Sequence, residues 1–149
     1  MRWPPSGDHG PPTSPRVASA PAAAYLDASA LVKLIAVEPE TVALRRELSR
    51  WPRRVTSLLA RVEVTRTADR IGGQAPALAP GVMSRLQLLA IDPVVPAAAQ
   101  IGGTTLRSLD AIHLATALGI AHELGALITY DLRMIAEGEA LGLPILSPS

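Results

Sequence analysis

From residue 23 onward the chain alternates short apolar runs of strand character with helical stretches, a pattern that restricts its fold more than any other feature. Residues 23–27 read as a strand. Residues 28–37 read as a buried helix, stopped at Glu38-Pro39 because the residue before proline avoids the helical region. Residues 40–50 form a second helix, with Val42, Leu44 and Leu48 on one face and arginines on the other. A strand over 53–56 follows, then a helix over 58–71 with Ser57 as its N-cap and Gly72-Gly73 as its stop. Residues 76–80 read as a loop, 81–89 as a helix and 89–95 as a strand weakened by Pro93; 97–101 is a short helix ending at Gly102-Gly103. Ser108 can cap a helix over 109–123 that is apolar nearly all round and ended by Gly125. Residues 126–130 are a clear strand, 132–141 the last helix and 143–146 a final strand. Such alternation specifies an α/β fold in three layers, a mostly parallel sheet covered by helices on both faces.

A domain over residues 23–149 is long enough to bury a sizeable core, and a 48% apolar content can fill it. Residues 1–22 hold six of the fourteen prolines. That segment reads as a disordered arm outside the fold, with too little apolar surface to offset its ordering entropy. The absence of cysteine excludes disulfides, thiolate zinc sites and a cysteine nucleophile. No apolar run approaches the ~20 residues of a membrane span, and no signal-peptide core precedes the domain, so a soluble, cytoplasmic protein is expected. Trp3, Trp51, Tyr25 and Tyr130 are too few aromatics for a base-stacking platform. The net charge is only +1, yet eight arginines crowd residues 45–70. They read either as a solvated helix face or as a surface for phosphates.

Four carboxylates interrupt the apolar segments: Asp27, Glu63, Asp110 and Asp131. Asp27 and Asp131 follow strands directly, and parallel sheets bind ligands at the carboxyl ends of their strands. Neighbouring helices can aim Glu63 and Asp110 at the same place. Buried carboxylates are costly unless paired or bound to a cation, and four together repel one another. A hard divalent cation relieves that cost: Mg2+ or Mn2+ takes an all-oxygen shell, and the lack of cysteine argues against zinc. Such a site suits phosphodiester hydrolysis by a metal-activated water, with no protein nucleophile. The competing reading is a purely structural quartet held by arginines.

The neighbours fit either account. Ser29 can cap the first helix or bond a water or phosphate. Thr129 lies on the same side of its strand as Asp131 and can orient the site. Arg107 and Arg133 flank two of the acids and can meet phosphates, or they are plain surface charges. His113, one helical turn after Asp110, reads as a packed, satisfied histidine rather than a ligand.

Tyr25-Leu-Asp-Ala-Ser-Ala-Leu-Val-Lys33, Arg61-Val-Glu-Val-Thr-Arg66, Leu106-Arg-Ser-Leu-Asp-Ala-Ile-His-Leu-Ala-Thr-Ala117 and Thr129-Tyr-Asp-Leu-Arg133 together resemble the PIN-domain ribonucleases. More narrowly, the chain resembles the VapC-type toxins of bacterial toxin–antitoxin pairs, over residues 24–147. The resemblance implies a five-stranded sheet of order 3-2-1-4-5 and a metal-binding quartet of Asp27, Glu63, Asp110 and Asp131. Ser29 matches the family's usual Ser or Thr after the first Asp. A homodimer is implied, as are cleavage of structured RNA (tRNA or rRNA) with Mg2+ or Mn2+ and inhibition by a cognate antitoxin. Asp27 and Asp110 are then the expected direct ligands, Asp131 shares that ion, a second ion or its waters, and Glu63 positions or deprotonates the attacking water. A haloacid-dehalogenase-type phosphatase would need a second Asp where Ser29 stands. A receiver domain would need a late Lys, but the sole lysine is Lys33. The remaining alternatives are a PIN-like module that binds RNA or a partner without cutting, and a PIN nuclease outside any toxin–antitoxin pair.

Overall fold

The structure, a computed structural model, describes Gly10 and residues 22–149. The arm expected over residues 1–22 lies, apart from Gly10 and Ala22, outside the described residues. Strands β1 (Ala23–Leu26), β2 (Arg53–Ser57), β3 (Gln87–Leu89), β4 (Leu124–Ile128) and β5 (Ile145–Leu146) form one sheet. Its order is β3-β2-β1-β4-β5, and every neighbouring pair is parallel. Helices α1 (Ala28–Ile35) and α2 (Thr41–Leu48) follow β1, and α3 (Leu59–Ile71) and α4 (Ala75–Met83) follow β2. After β3 come a 3-10 turn (Asp92–Val94), α5 (Val95–Ala98) and α6 (Ser108–Gly119); α7 (Leu132–Ala140) joins β4 to β5.

All four residues of β1 are fully buried, as a central strand covered on both faces must be. Their side chains alternate between two cores, because successive strand residues point to opposite faces. Ala24 and Leu26 pack with Leu31 of α1, Leu44 of α2, Val64 of α3 and Ala79 of α4. Ala23 and Tyr25 face the other way, onto Leu114 of α6 and Met134 of α7. These are the three expected layers. From β1 the chain builds outward to β3, then returns to place β4 on the opposite side of β1. The reversal opens a crevice at the carboxyl ends of β1 and β4, where such sheets bind ligands.

Several boundaries depart from the sequence reading. Residues 76–80 are not a loop but lie within α4, which carries Pro76 in its first turn and Pro80 inside. A first-turn proline costs nothing, since that N–H has no intrahelical partner. The stretch 89–95 pairs only at its start, as the end of β3, before Pro93 enters the 3-10 turn. Gly125 does not end a helix. It is a strand residue of β4, and any Cβ there would collide with the Trp51 ring. Arg107, not Ser108, is the N-cap position of α6. Gly72 and Gly73 do end α3, both with positive φ, a conformation that glycine adopts without strain.

Candidate active site

Asp27 stands at the end of β1 and is the N-cap of α1. Its Oδ1 accepts hydrogen bonds from the Ala30 amide at 3.0 Å and the Ser29 hydroxyl at 2.7 Å. Its Oδ2 accepts from the Thr129 hydroxyl at 2.6 Å. Ser29 Oγ in turn accepts from the Tyr130 amide at 2.9 Å, and Thr129 Oγ1 from the Asp131 amide at 3.2 Å. Two hydroxyls therefore lace the end of β1 to the turn after β4: both donate to Asp27, Ser29 accepting from the facing backbone and Thr129 from its own turn. Burial pushes the Asp27 carboxyl above its ordinary value, against the pull of the bonds from Thr129 and Ser29.

Asp131 is the N-cap of α7, its Oδ1 accepting from the amides of Arg133 and Met134. The other oxygen of this carboxylate takes no bond from the described residues. Asp110, in the first turn of α6, is raised by burial and by the negative charge of Asp131. Its Oδ2 is buried without any hydrogen-bond partner. Such an orphan is rare in a folded chain and calls for a partner, an ion or a bound water.

Glu63 projects from α3, and its Oε1 is 2.6 Å from His113 Nε2. On the far side of the ring, His113 Nδ1 is 2.6 Å from the Tyr25 hydroxyl. His113 is 2% exposed and Tyr25 fully buried, and the two rings meet edge to face. The expectation of a satisfied histidine holds as far as its hydrogen bonds go, yet one of its partners is a member of the quartet. Tyr25 was legible only as a strand residue. The available signal was a phenol in an otherwise Ala/Leu strand, since a buried Tyr hydroxyl needs a partner.

Of the four acids, Asp27 and Asp131 are linked through the Thr129 hydroxyl, Asp110 feels the charge of Asp131, and Glu63 is tied to His113, one turn after Asp110 on α6. Among the described residues, no three His, Asp or Glu side chains converge closely enough to form a ready-made metal cage. The donor set nevertheless suits a hard cation: only oxygens, one buried and unpartnered, on carboxylates already oriented by protein donors. Arg107 and Arg133 adjoin Asp110 and Asp131 and form no ion pair among the described residues. The arginine-rich stretch is divided. Arg50 pairs with Glu47 and Arg53 with Glu123, while Arg54 donates to the Leu48 and Trp51 carbonyls. Arg61 and Arg66 stay exposed on α3. Away from the acids, Arg45, Arg54 and Arg85 rim an apolar-floored cavity of about 580 Å³.

Residues 24–138 match the family model of the PIN domain. The chain belongs to the PIN-domain family. Within it, this PIN domain falls with the VapC ribonucleases. It is 45% identical over 129 residues to Ribonuclease VapC46 of Mycobacterium tuberculosis, an alignment covering 86% of this chain and 99% of that one. Ribonuclease VapC35 of the same organism is 44% identical over 133 residues, 83% of this chain and 96% of its own. In a toxin–antitoxin complex from Klebsiella pneumoniae, one chain superposes with a TM-score of 0.60 at 25% identity, across 85% of this chain and 98% of that one.

Proposed function

We propose that this PIN domain is a Mg2+-dependent endoribonuclease, the toxin of a toxin–antitoxin pair, with an activated water as nucleophile. One observation carries the reading. Asp110 Oδ2 is buried and unpartnered beside Asp131, at the switch-point crevice where Asp27 is already oriented by three donors. A bound Mg2+ or Mn2+ supplies charge neutralisation at the scissile phosphate and lowers the pKa of a water. Asp27, Asp110 and Asp131 are the residues that would hold it, each presenting oxygen. Ser29 and Thr129 fix the Asp27 carboxylate in one orientation. Glu63, steadied by His113, positions the attacking water or takes its proton. Arg107 and Arg133 contact backbone phosphates on either side of the acids.

The partners follow from the relatives. VapC46 and VapC35 are named ribonucleases, and the Klebsiella pneumoniae neighbour lies in a toxin–antitoxin complex; RNA and a cognate antitoxin are accordingly assigned here. Structured RNA of the tRNA or rRNA class, a homodimer and a cytoplasmic location are the family expectations carried forward. No helix among the described residues is long and apolar enough to cross a membrane. A PIN-like module that binds RNA without cutting is favoured by one fact, the lack of a ready-made cage among the described residues.

Purified protein incubated with RNA decides between them. Cleavage is expected with Mg2+, none with chelator, and none from Asp27→Asn or Asp110→Asn. Cleavage that persists in both variants would refute the metal-dependent reading; binding of RNA without cleavage would establish the alternative.

A further inference from the structure

The orientation of Glu63 depends on a buried chain of two further side chains. Its Oε1 meets His113 Nε2 at 2.6 Å, and Tyr25 meets His113 Nδ1 at 2.6 Å. No described residue bonds Oε2. Burying a phenol and an imidazole is costly unless both find partners, and here each spends its hydrogen-bonding capacity on the next. The Thr56 and Thr116 hydroxyls beside the phenol already donate to the Leu26 and Ile112 carbonyls, so neither can donate to Tyr25. The one hydrogen of the phenol is then available to His113 Nδ1, which lies at hydrogen-bond distance. With the phenol donating to Nδ1, a neutral ring carries its hydrogen on Nε2, where an ionised carboxylate can only accept. The three groups sit on β1, α6 and α3, two helices on opposite faces of the sheet and the strand between them.

We propose that Tyr25 and His113 are positioning residues for RNA cleavage: the phenol sets the His113 tautomer, and His113 holds Glu63 so that Oε2 alone is offered to the reacting water. The proposal rests on the assignment of Glu63 to the site. Misplacing a catalytic group by about 1 Å costs on the order of a hundredfold in rate. His113→Leu should therefore lower kcat on a defined RNA about a hundredfold and leave KM within about twofold. His113→Gln, whose amide can still donate towards Glu63, should recover about tenfold of that loss. Tyr25→Phe, nearly isosteric and retaining the packing, should lose about tenfold in kcat and is the variant to read should His113→Leu fail to fold. In a Glu63→Gln background, His113→Leu should add nothing, because positioning acts only through Glu63.

A readout independent of cleavage is the side-chain 15N spectrum of His113 in metal-free protein. Hydrogen on Nε2 is expected in the wild type, and a mixture of tautomers in Tyr25→Phe. Hydrogen on Nδ1 in the wild type, or full additivity in the Glu63→Gln background, would overturn the proposal. Wild-type cleavage by Glu63→Gln would remove the assignment of Glu63 and the proposal with it. An inactive Glu63→Gln beside a fully active His113→Leu would remove the positioning role alone.

Discussion

Thr129 serves three partners with one oxygen. It donates to Asp27 Oδ2, accepts from the Asp131 amide and lies 3.3 Å from Ser29 Oγ. Thr129→Val preserves the shape but strips that amide and Asp27 Oδ2 of their partner. Leaving buried polar groups unpaired costs about 1–3 kcal/mol. Denaturant unfolding should read that loss, together with weakened cleavage, whereas unchanged stability would mean that water replaces the hydroxyl. The Asp27 carboxyl makes a second prediction. Its folded-state value is raised by burial above the ordinary 3.8, so the folded chain keeps this proton to higher pH than the unfolded chain does. Folding then takes up a proton in that interval, and stability falls as pH rises through it. In chelator, the unfolding midpoint of the wild type relative to Asp27→Asn should drop as pH climbs from about 4 toward neutrality. A difference that stays flat with pH would contradict the raised value. The acids and their hydroxyl neighbours were legible in the sequence because a carboxylate in an apolar run is conspicuous. The His113–Glu63 link was not, since nothing in the spacing of α3 and α6 says which residues face across the sheet edge.

At the scale of elements, periodicity revealed the strands and helices, and three-dimensional packing moved their ends. Gly125 illustrates the difference. Read locally, a glycine after an apolar helix is a stop signal; in the fold it is the bare patch of β4 on which Trp51 lies. Gly125→Ala should therefore destabilise the protein by about 1–3 kcal/mol through overpacking. Combining it with Trp51→Ala should cost less than the sum of the two single changes, as a double-mutant cycle by chemical denaturation would report. Strict additivity would mean that the ring moves aside freely. The register of α4 escaped the sequence reading for a related reason. Pro76 and Pro80 look like loop punctuation, yet Ala75, Ala79 and Met83 recur at helical spacing and are buried against α1 and α3. Burial of that stripe outweighs the one hydrogen bond that Pro80 cannot donate.

Across the whole molecule, the strand order brings residues from opposite ends of the chain to one crevice. Ligand binding there should stabilise the entire fold. Mg2+ or Mn2+ at about a hundred times its dissociation constant would add about 2.7 kcal/mol, seen as a higher thermal midpoint in the wild type and none in Asp110→Asn. An equal rise in both would place the cation elsewhere. Arg107 and Arg133 form no ion pair among the described residues, so neutralising each should reduce the salt slope of RNA binding by about one unit; unchanged slopes would leave them as solvent-facing charges. The sheet order was visible through the resemblance of four short motifs, while the all-parallel pairing and the lacing of β1 to β4 required coordinates. That lacing also sets a timetable. Asp27 is synthesised first, and Thr129, which orients it, follows 102 residues later, with Asp131 just beyond. A nascent chain of this kind has no assembled centre until the ribosome has passed β4, so an RNA-cutting activity would first appear only once that strand can pair with β1.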